Sequence, residues 1–300
     1  MGYSMQVTQI DNTTEIFNQY RGLLFSIAYR MLSSATDAED IVQEAFVRWM
    51  EARPEDVQSP RAYLCAIVVR LCIDQLRSAR AKREVYVGPW LPEPVSTEQH
   101  PELVQTAMLA ESLSFAFLVM LENLKPLERA VFLLREVFEY DYEEIAAIVG
   151  KSAANCRQVL HRAHERLGER RPRFAVSHEQ QEQITHQFLR ASTGGDMQGL
   201  LNLLTADIVL TADGGGKAQA GLKPVYGADR VSRGFMGSML KMPPGVTAQV
   251  EEINGQPALV GYLDGRPYGV VLLELEQDRV GRVYIVMNPD KLGWLPPESA

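Results

Sequence analysis

Apolar positions across residues 12–83 recur at helical spacing. In DAEDIVQEAFVRWM, residues Ile41, Val42, Ala45, Phe46, Trp49 and Met50 fall at i, i+1, i+4, i+5, i+8 and i+9, which predicts one wide buried stripe. The opposite face carries Asp40, Gln43, Glu44 and Glu51, so the helix presents acid to solvent. Ser59-Pro60 reads as a cap and a first helical residue, launching RAYLCAIVVRLCIDQLRSARAKRE. That helix is apolar through Ile73, as a central core helix would be, and then turns basic, with Arg70, Asp74 and Arg77 on one face.

The period then stops. GPWLPEPV, residues 88 to 95, holds an aromatic residue and three prolines and fits neither a helix nor a strand. Helix resumes at about Pro101 and continues to about Gly168. Within it, DYEEIAAIVGKSAANCRQVLHRAHERL has the spacing of a helix-turn-helix. Ala146 is the small residue at the helix crossing, Gly150 makes the turn, and Cys156 and Val159 seat the second helix. A helical wheel turns Cys156, Val159, Leu160, Ala163 and Leu167 inward. Gln158, His161, Arg162 and Glu165 point out, flanked by Asn155 and Arg157, side chains that suit base edges and phosphates in a major groove.

From about Ser177 the pattern changes again. Helices are predicted near Gln180 to Ala191, Met197 to Leu204 and Gly227 to Leu240, with a strand ADIVLTAD between the second and third. The strands TAQVEEI, PALVGYLD, PYGVVLLELE and RVYIVMN follow, with hairpin signals at Asn254-Gly255 and Asp264-Gly265. Helices followed by antiparallel strands predict a separate α+β domain.

Length and charge refine this picture. A chain of 300 residues suggests two or three compact units, and 46% hydrophobic content supplies cores for them. No apolar run approaches the ~18 to 20 residues of a membrane span, and the N-terminus lacks a basic region followed by an apolar stretch, so a cytoplasmic location is expected. Cys65, Cys72 and Cys156 each lie in an apolar helical pattern and outside any CxxC or Cys/His cluster, which predicts buried thiols and no metal site. His161 and His164 have no third ligand at metal spacing and are expected to meet solvent or phosphate.

The net charge of −8 is shared by both halves, with 20 basic against 24 acidic residues through Arg173 and 10 against 14 after it. The basic residues nevertheless cluster. Arg70, Arg77, Arg80, Lys82 and Arg83 face only Asp74 and Glu84, and Arg157, Arg162, Arg166, Arg170, Arg171 and Arg173 face only Glu165 and Glu169. Two such runs, each closing a helical unit, predict a phosphate-binding surface. Weak binding to free DNA is expected from the net acidity around them.

Residues 12 to 170 resemble the two core domains of a bacterial extracytoplasmic-function (ECF) sigma factor. WLPEP at 90 to 94, DGGGK at 213 to 217 and NPDKL at 288 to 292 are similar to the motifs of the subgroup with a fused C-terminal SnoaL-like domain, of the nuclear-transport-factor-2-like α+β fold. The resemblance implies a multidomain chain: two all-α domains, region 2 over 1–84 and the region 4 helix-turn-helix over 106–173, joined by a linker over 85–105, then a SnoaL-like regulatory domain over 177–300. It implies core RNA polymerase and promoter DNA as partners, with Asp40, Gln43 and Glu44 meeting the clamp of the largest subunit and region 4 meeting the flap of the second-largest. The loop Arg53 to Ser59 and the helix after it would read the −10 element, with Arg61, Arg70, Arg77, Arg80 and Arg83 on DNA. Where many relatives carry Arg-Asn this chain has Arg70-Leu71, so no base contact transfers there. Asn155, Arg157, Gln158, His161 and Arg162 would meet the −35 element.

The resemblance also gives the stiff segment a role. Pro89, Pro92 and Pro94 hold Trp90, Leu91 and Glu93 extended as a preorganised ligand. The expected groove is in the C-terminal domain, beside Asp213, Gly214, Gly215, Gly216 and Lys217 and beside Asn288, Pro289, Asp290, Lys291 and Leu292. Packing of the same segment on region 2 or 4 is the plainer alternative. No cofactor and no separate anti-sigma protein is called for, although a small-molecule ligand suits the C-terminal fold. DGGGK lacks the GxxxxGK[ST] spacing, which excludes a phosphate loop. Two rival readings are a helix-turn-helix regulator with a ligand-sensing tail and an isomerase- or cyclase-type enzyme. For the latter, Asp207, Asp213, His186 and Tyr284 are the polar candidates, and their spacing assembles no carboxylate with an activated partner.

Overall fold

The structure, a computed structural model, describes the backbone of residues 2–52, 57–83, 86–168 and 176–299. Side chains at 2–12, 79–83 and 107 lie outside the description. Two compact units result. One takes Met1–Lys82, Glu102–Leu113 and Met120–Glu169; the other takes Arg83–Pro101, Ser114–Val119 and Arg170–Ala300.

The first unit contains α1 (Gly2–Leu32), α2 (Ala35–Glu51), α3 (Pro60–Arg83), α4 (Ala107–Glu111), α6 (Pro126–Glu136), α7 (Tyr142–Val149) and α8 (Ala153–Leu167). Between α4 and α6 the chain forms α5 (Phe115–Leu121). Ser34 caps α2 by accepting the Asp37 amide, and Ile41, Val42, Ala45 and Trp49 are buried as the periodicity requires. Phe46 is only half-buried, edge-on to Phe17, and Met50 is exposed. Met50 occupies the final turn, so the buried stripe ends with Trp49, whose indole donates to the Thr13 carbonyl. In α3, Leu64, Cys65, Val68, Val69, Cys72, Ile73 and Leu76 are buried, which makes it the core helix expected.

Two buried arginines tie this unit together. Arg30 donates to the carbonyls of Ser26, Leu103 and Leu109 and to the hydroxyls of Ser26 and Ser112. Burial pulls its pKa down to about 9, so it stays charged at neutral pH and needs those five acceptors. Arg129 of α6 donates to the carbonyls of Leu121 and Met31 and pairs with Glu122. Neither residue stood out in the sequence, because a lone arginine in an apolar pattern carries no sign of its partners.

The helix-turn-helix forms where its spacing placed it. Asp141 and Glu144 make a capping box at the start of α7, Gly150 ends that helix at φ 66°, and Ser152 caps α8. Nothing lies within 4 Å of a Cβ built at Gly150, so a side chain there meets strain and no collision. Gly150→Ala is therefore expected to destabilise this unit by about 1–2 kcal/mol, and Gly150→Asn by less, since Asn tolerates the left-handed region. Urea unfolding of the two variants checks the order.

The second unit is the α+β domain expected. Helices α9 (His178–Thr193), α10 (Met197–Leu203) and α11 (Ala228–Met239) pack on a six-stranded sheet of order β2-β1-β6-β5-β4-β3. Its strands are β1 (Leu204–Asp213), β2 (Val225–Tyr226), β3 (Thr247–Ile253), β4 (Gln256–Leu263), β5 (Arg266–Glu276) and β6 (Arg279–Val286). Only the β1/β6 pair is parallel. Asn254-Gly255 and Asp264-Gly265 turn the first two hairpins with positive φ at each residue, as those pairs require.

Strand alternation gives the sheet two apolar faces. Leu259, Leu273, Val280 and Val283 face a core with Phe188, Leu200, Val231 and Phe235 of the helices. Ala258, Val260, Tyr262, Val270, Leu272, Tyr284 and Val286 face a second core, completed by Leu91, Phe115, Leu292 and Leu295. The Trp90-Leu91 segment thus packs on the C-terminal sheet.

Candidate functional site

On α2 the side chains of Asp40, Gln43 and Glu44 are exposed together. Glu44 pairs with Arg48 one turn on, at 2.9 Å, which softens the acid without hiding it. Exposed Val47 and Met50 adjoin these residues along the helix, so the face combines acidic groups with apolar ones.

The arginines of α3 divide. Arg77 is exposed and pairs with Asp74 at 3.1 Å. Arg61 places its guanidinium 5.1 Å from the Tyr140 ring centroid, and the Tyr140 hydroxyl lies 3.3 Å from Cys65 Sγ. Arg70 donates Nε–H to the Ile148 carbonyl at 3.0 Å and Nη2–H to the Ala147 carbonyl at 3.1 Å, at the negative end of α7. The side chains of Arg80 and Arg83 and the segment 53–56 lie outside the described residues.

On α8, Cys156, Val159, Leu160, Ala163 and Leu167 are buried, and Asn155, Arg157, Gln158, His161 and Arg162 are exposed. His161 lies 3.5 Å from Glu165, and Arg157 stacks on Tyr142 at 4.9 Å. His164 differs from expectation: it packs edge-on against Phe132 and lies 3.5 Å from Glu136, because its position turns partly toward α6.

The three motifs of the stiff segment and the tail converge within the second unit. Asp213, the last residue of β1, is fully buried and accepts four hydrogen bonds. Its Oδ1 takes the Tyr86 hydroxyl at 2.6 Å and the Gly215 amide at 3.0 Å; its Oδ2 takes the Leu91 amide at 2.9 Å and Lys291 Nζ at 2.8 Å. Lys291 also donates to the Leu91 carbonyl and lies over the rings of Trp90 and Tyr86. A buried carboxylate is tolerated here because every lone pair is directed at a donor and a cation neutralises it.

The glycines of DGGGK make room for this convergence. Gly215 has φ 58°, and a Cβ there would collide with the Asn288 amide and come 3.0 Å from the Tyr86 hydroxyl. A Cβ on Gly214 would strike the Ala218 carbonyl. Asn288 donates to Tyr86 and accepts the Asp290 amide, which shapes the turn Pro289–Lys291. Lys217 and Asp290 join across the surface, where solvent screening leaves their pairing little weight.

Downstream, Pro92, Glu93 and Pro94 are buried, and the segment then pairs with the end of β3. Val95 and Asn254 exchange hydrogen bonds, Ser96 bridges Ile253, and the Thr97 amide donates to the Glu252 carbonyl at 3.1 Å. The stiff segment is therefore bound at both ends of its apolar core.

The rival catalytic candidates do not meet. Asp207 and His186 are exposed, and His186 lies 3.9 Å from Glu182 of its own helix. Tyr284 donates to Glu274 at 2.8 Å beneath the Phe115 ring, while Asp213 is committed to the linker contacts.

Residues 16–82 match the Sigma-70 region 2 family and residues 114–167 match Sigma-70, region 4. The chain is 32% identical over 292 residues to the ECF RNA polymerase sigma factor SigJ of Mycobacterium tuberculosis, covering 93% of both chains. It is 31% identical to the probable ECF RNA polymerase sigma factor SigI of the same organism, covering 97% of this chain and 99% of that one. The chain belongs to the ECF RNA polymerase sigma factors. The crystal structure of M. tuberculosis SigJ matches with a TM-score of 0.76 at 31% identity, covering 95% of this chain and all of that one.

As a sigma factor the protein acts with core RNA polymerase at promoter DNA in transcription initiation, and its family are regulators. No described helix is long and apolar enough to cross a membrane. Two residues of this sigma factor's linker site, and one of the sheet face it packs on, carry no local signal of their role. Tyr86 precedes the stiff segment and touches both tail motifs; burial and the adjacent Asp213 push its phenol well above the usual value, so it remains a donor. Asn254 makes the hairpin turn its Asn-Gly pair predicts, and it also grips Val95. Phe115 lies in an apolar run, FAFLVML, and seats against Tyr284.

Proposed function

We propose that the C-terminal domain of this sigma factor governs its activity by holding the linker between the two promoter-reading regions. The observation that carries this reading is the convergence of the Tyr86 hydroxyl, the Leu91 amide and Lys291 on one buried carboxylate, Asp213. Such a contact exists in one geometry or not at all, which suits a two-state control.

In the working complex, Asp40, Gln43 and Glu44 meet the clamp of the largest polymerase subunit and region 4 meets the flap of the second-largest. Arg61, Arg70, Arg77, Arg80 and Arg83 serve the −10 element, and Asn155, Arg157, Gln158, His161 and Arg162 the −35 element. Arg61 and Arg70 now rest on Tyr140 and on the last carbonyls of α7, so −10 contacts through them require exchanging these partners for phosphate oxygens. That exchange separates region 2 from region 4, and the held linker opposes it. The factor works in the cytoplasm, performs no catalysis and requires no separate anti-sigma protein.

Run-off transcription with core polymerase tests this. A Trp90→Ala, Leu91→Ala double variant is expected to raise transcript yield several-fold at unchanged polymerase affinity. An unchanged yield would return the segment to a packed spacer, and no transcript from either protein would remove the promoter-reading assignments.

A further inference from the structure

Lys291 sits in the linker site as a guest sits in a receptor. Its Nζ lies 4.1 Å from the Trp90 ring centroid and 5.1 Å from that of Tyr86, 2.8 Å from Asp213 Oδ2 and 2.5 Å from the Leu91 carbonyl. Two aromatic faces, a carboxylate and a carbonyl around one buried nitrogen are the elements of a cation cage. All four walls come from outside the segment that carries Lys291.

The carboxylate wall keeps three of its four donors without the guest. Without Lys291, Asp213 still accepts from Tyr86, Leu91 and Gly215, so the carboxylate stays oriented. The two oxygen acceptors select for a nitrogen that can donate, which a primary ammonium does and a quaternary ammonium cannot.

We propose that Tyr86, Trp90, Asp213 and the Leu91 carbonyl form a binding site for a primary alkylammonium ion, closed in this structure by Lys291 of the same chain. A soluble primary amine that takes the site displaces residues 289–295 and frees the tail's grip on the linker. Because Lys291 is tethered, it competes at an effective concentration in the millimolar range or above, and the amine must be present at comparable levels. The consequence for transcription rests on the linker reading above; the binding itself does not.

The test uses the full chain with Lys291→Ala, which removes the three methylenes and the nitrogen that propylammonium restores. Propylammonium chloride is titrated while tryptophan fluorescence is followed, with 1-propanol and tetramethylammonium as comparators. The expected result is saturable binding of propylammonium about tenfold tighter than of either comparator, lost when Trp90→Ala is added. Equal responses to the three compounds, or no saturation, would overturn the proposal. If Lys291→Ala does not fold, the unaltered protein decides. Excess propylammonium, against equal sodium chloride, is expected to speed amide exchange at Lys291, Leu292 and Leu295, and no acceleration would overturn the site. Amine binding with an unmoved run-off yield would leave the site standing and remove the linker reading.

Discussion

Asp213→Ala is expected to destabilise the C-terminal unit by about 3–5 kcal/mol, the usual cost of removing one partner of a buried ion pair. The substitution leaves the Lys291 ammonium buried without a counter-charge and deprives the Tyr86 hydroxyl and the Leu91 and Gly215 amides of their acceptor. Asp213→Asn keeps one acceptor oxygen and loses the charge, so it falls between the two. Adding Lys291→Met to Asp213→Ala removes the stranded charge and should restore part of the loss. Denaturant unfolding of the three variants reads the order. An Asp213→Ala protein within about 1 kcal/mol of the parent would mean that the buried carboxylate is not what holds the linker.

Two truncations separate the parts of the tail. A chain ending just before Asn288 loses Asn288, Lys291, Leu292 and Leu295, but keeps the sheet on which Leu91 and Phe115 pack, because β6 ends at Val286. A chain ending after Phe174 loses the sheet as well. Leu91, Val95 and Phe115, all buried now, would then be uncovered at about 1.5–3 kcal/mol for each fully exposed side chain. The shorter cut opens the linker site on an intact support; the longer one strips the linker and the start of region 4 of their packing. Promoter activity in a reporter strain is therefore expected to be several-fold lower for the chain ending after Phe174. Equal output would overturn this division of labour.

Much of the fold is written in local patterns. The alternation in TAQVEEI and PALVGYLD, with Asn-Gly and Asp-Gly between strands, specifies two hairpins because positive φ at those residues costs little elsewhere but is required there. The third hairpin turns at Gln277, whose positive φ no side-chain preference announces. The helix-turn-helix was legible for the same reason as the first two hairpins: Gly150 and the buried Cys156 and Val159 sit at fixed short offsets.

The linker site was legible only as three separate motifs. What joins them is separated by 122 residues between Leu91 and Asp213 and by 202 between Tyr86 and Asn288, and no local period encodes such pairings. Tyr86 carries no signal of its role, because a single tyrosine beside a proline-rich run reads as packing. In the sequence Arg70 shows only its charge, while its partners are backbone carbonyls, which have no sequence identity to find.

The separation of Leu91 from Lys291 by 200 residues also sets an order of events during synthesis. At about 5–20 residues per second, the lysine is made roughly 10–40 s after the linker it grips. Region 2 is complete before that interval begins, and region 4 is finished within it. On the linker control proposed above, each newly made molecule passes through a period in which its sigma regions exist and that control does not, and the length of the period follows the speed of the ribosome.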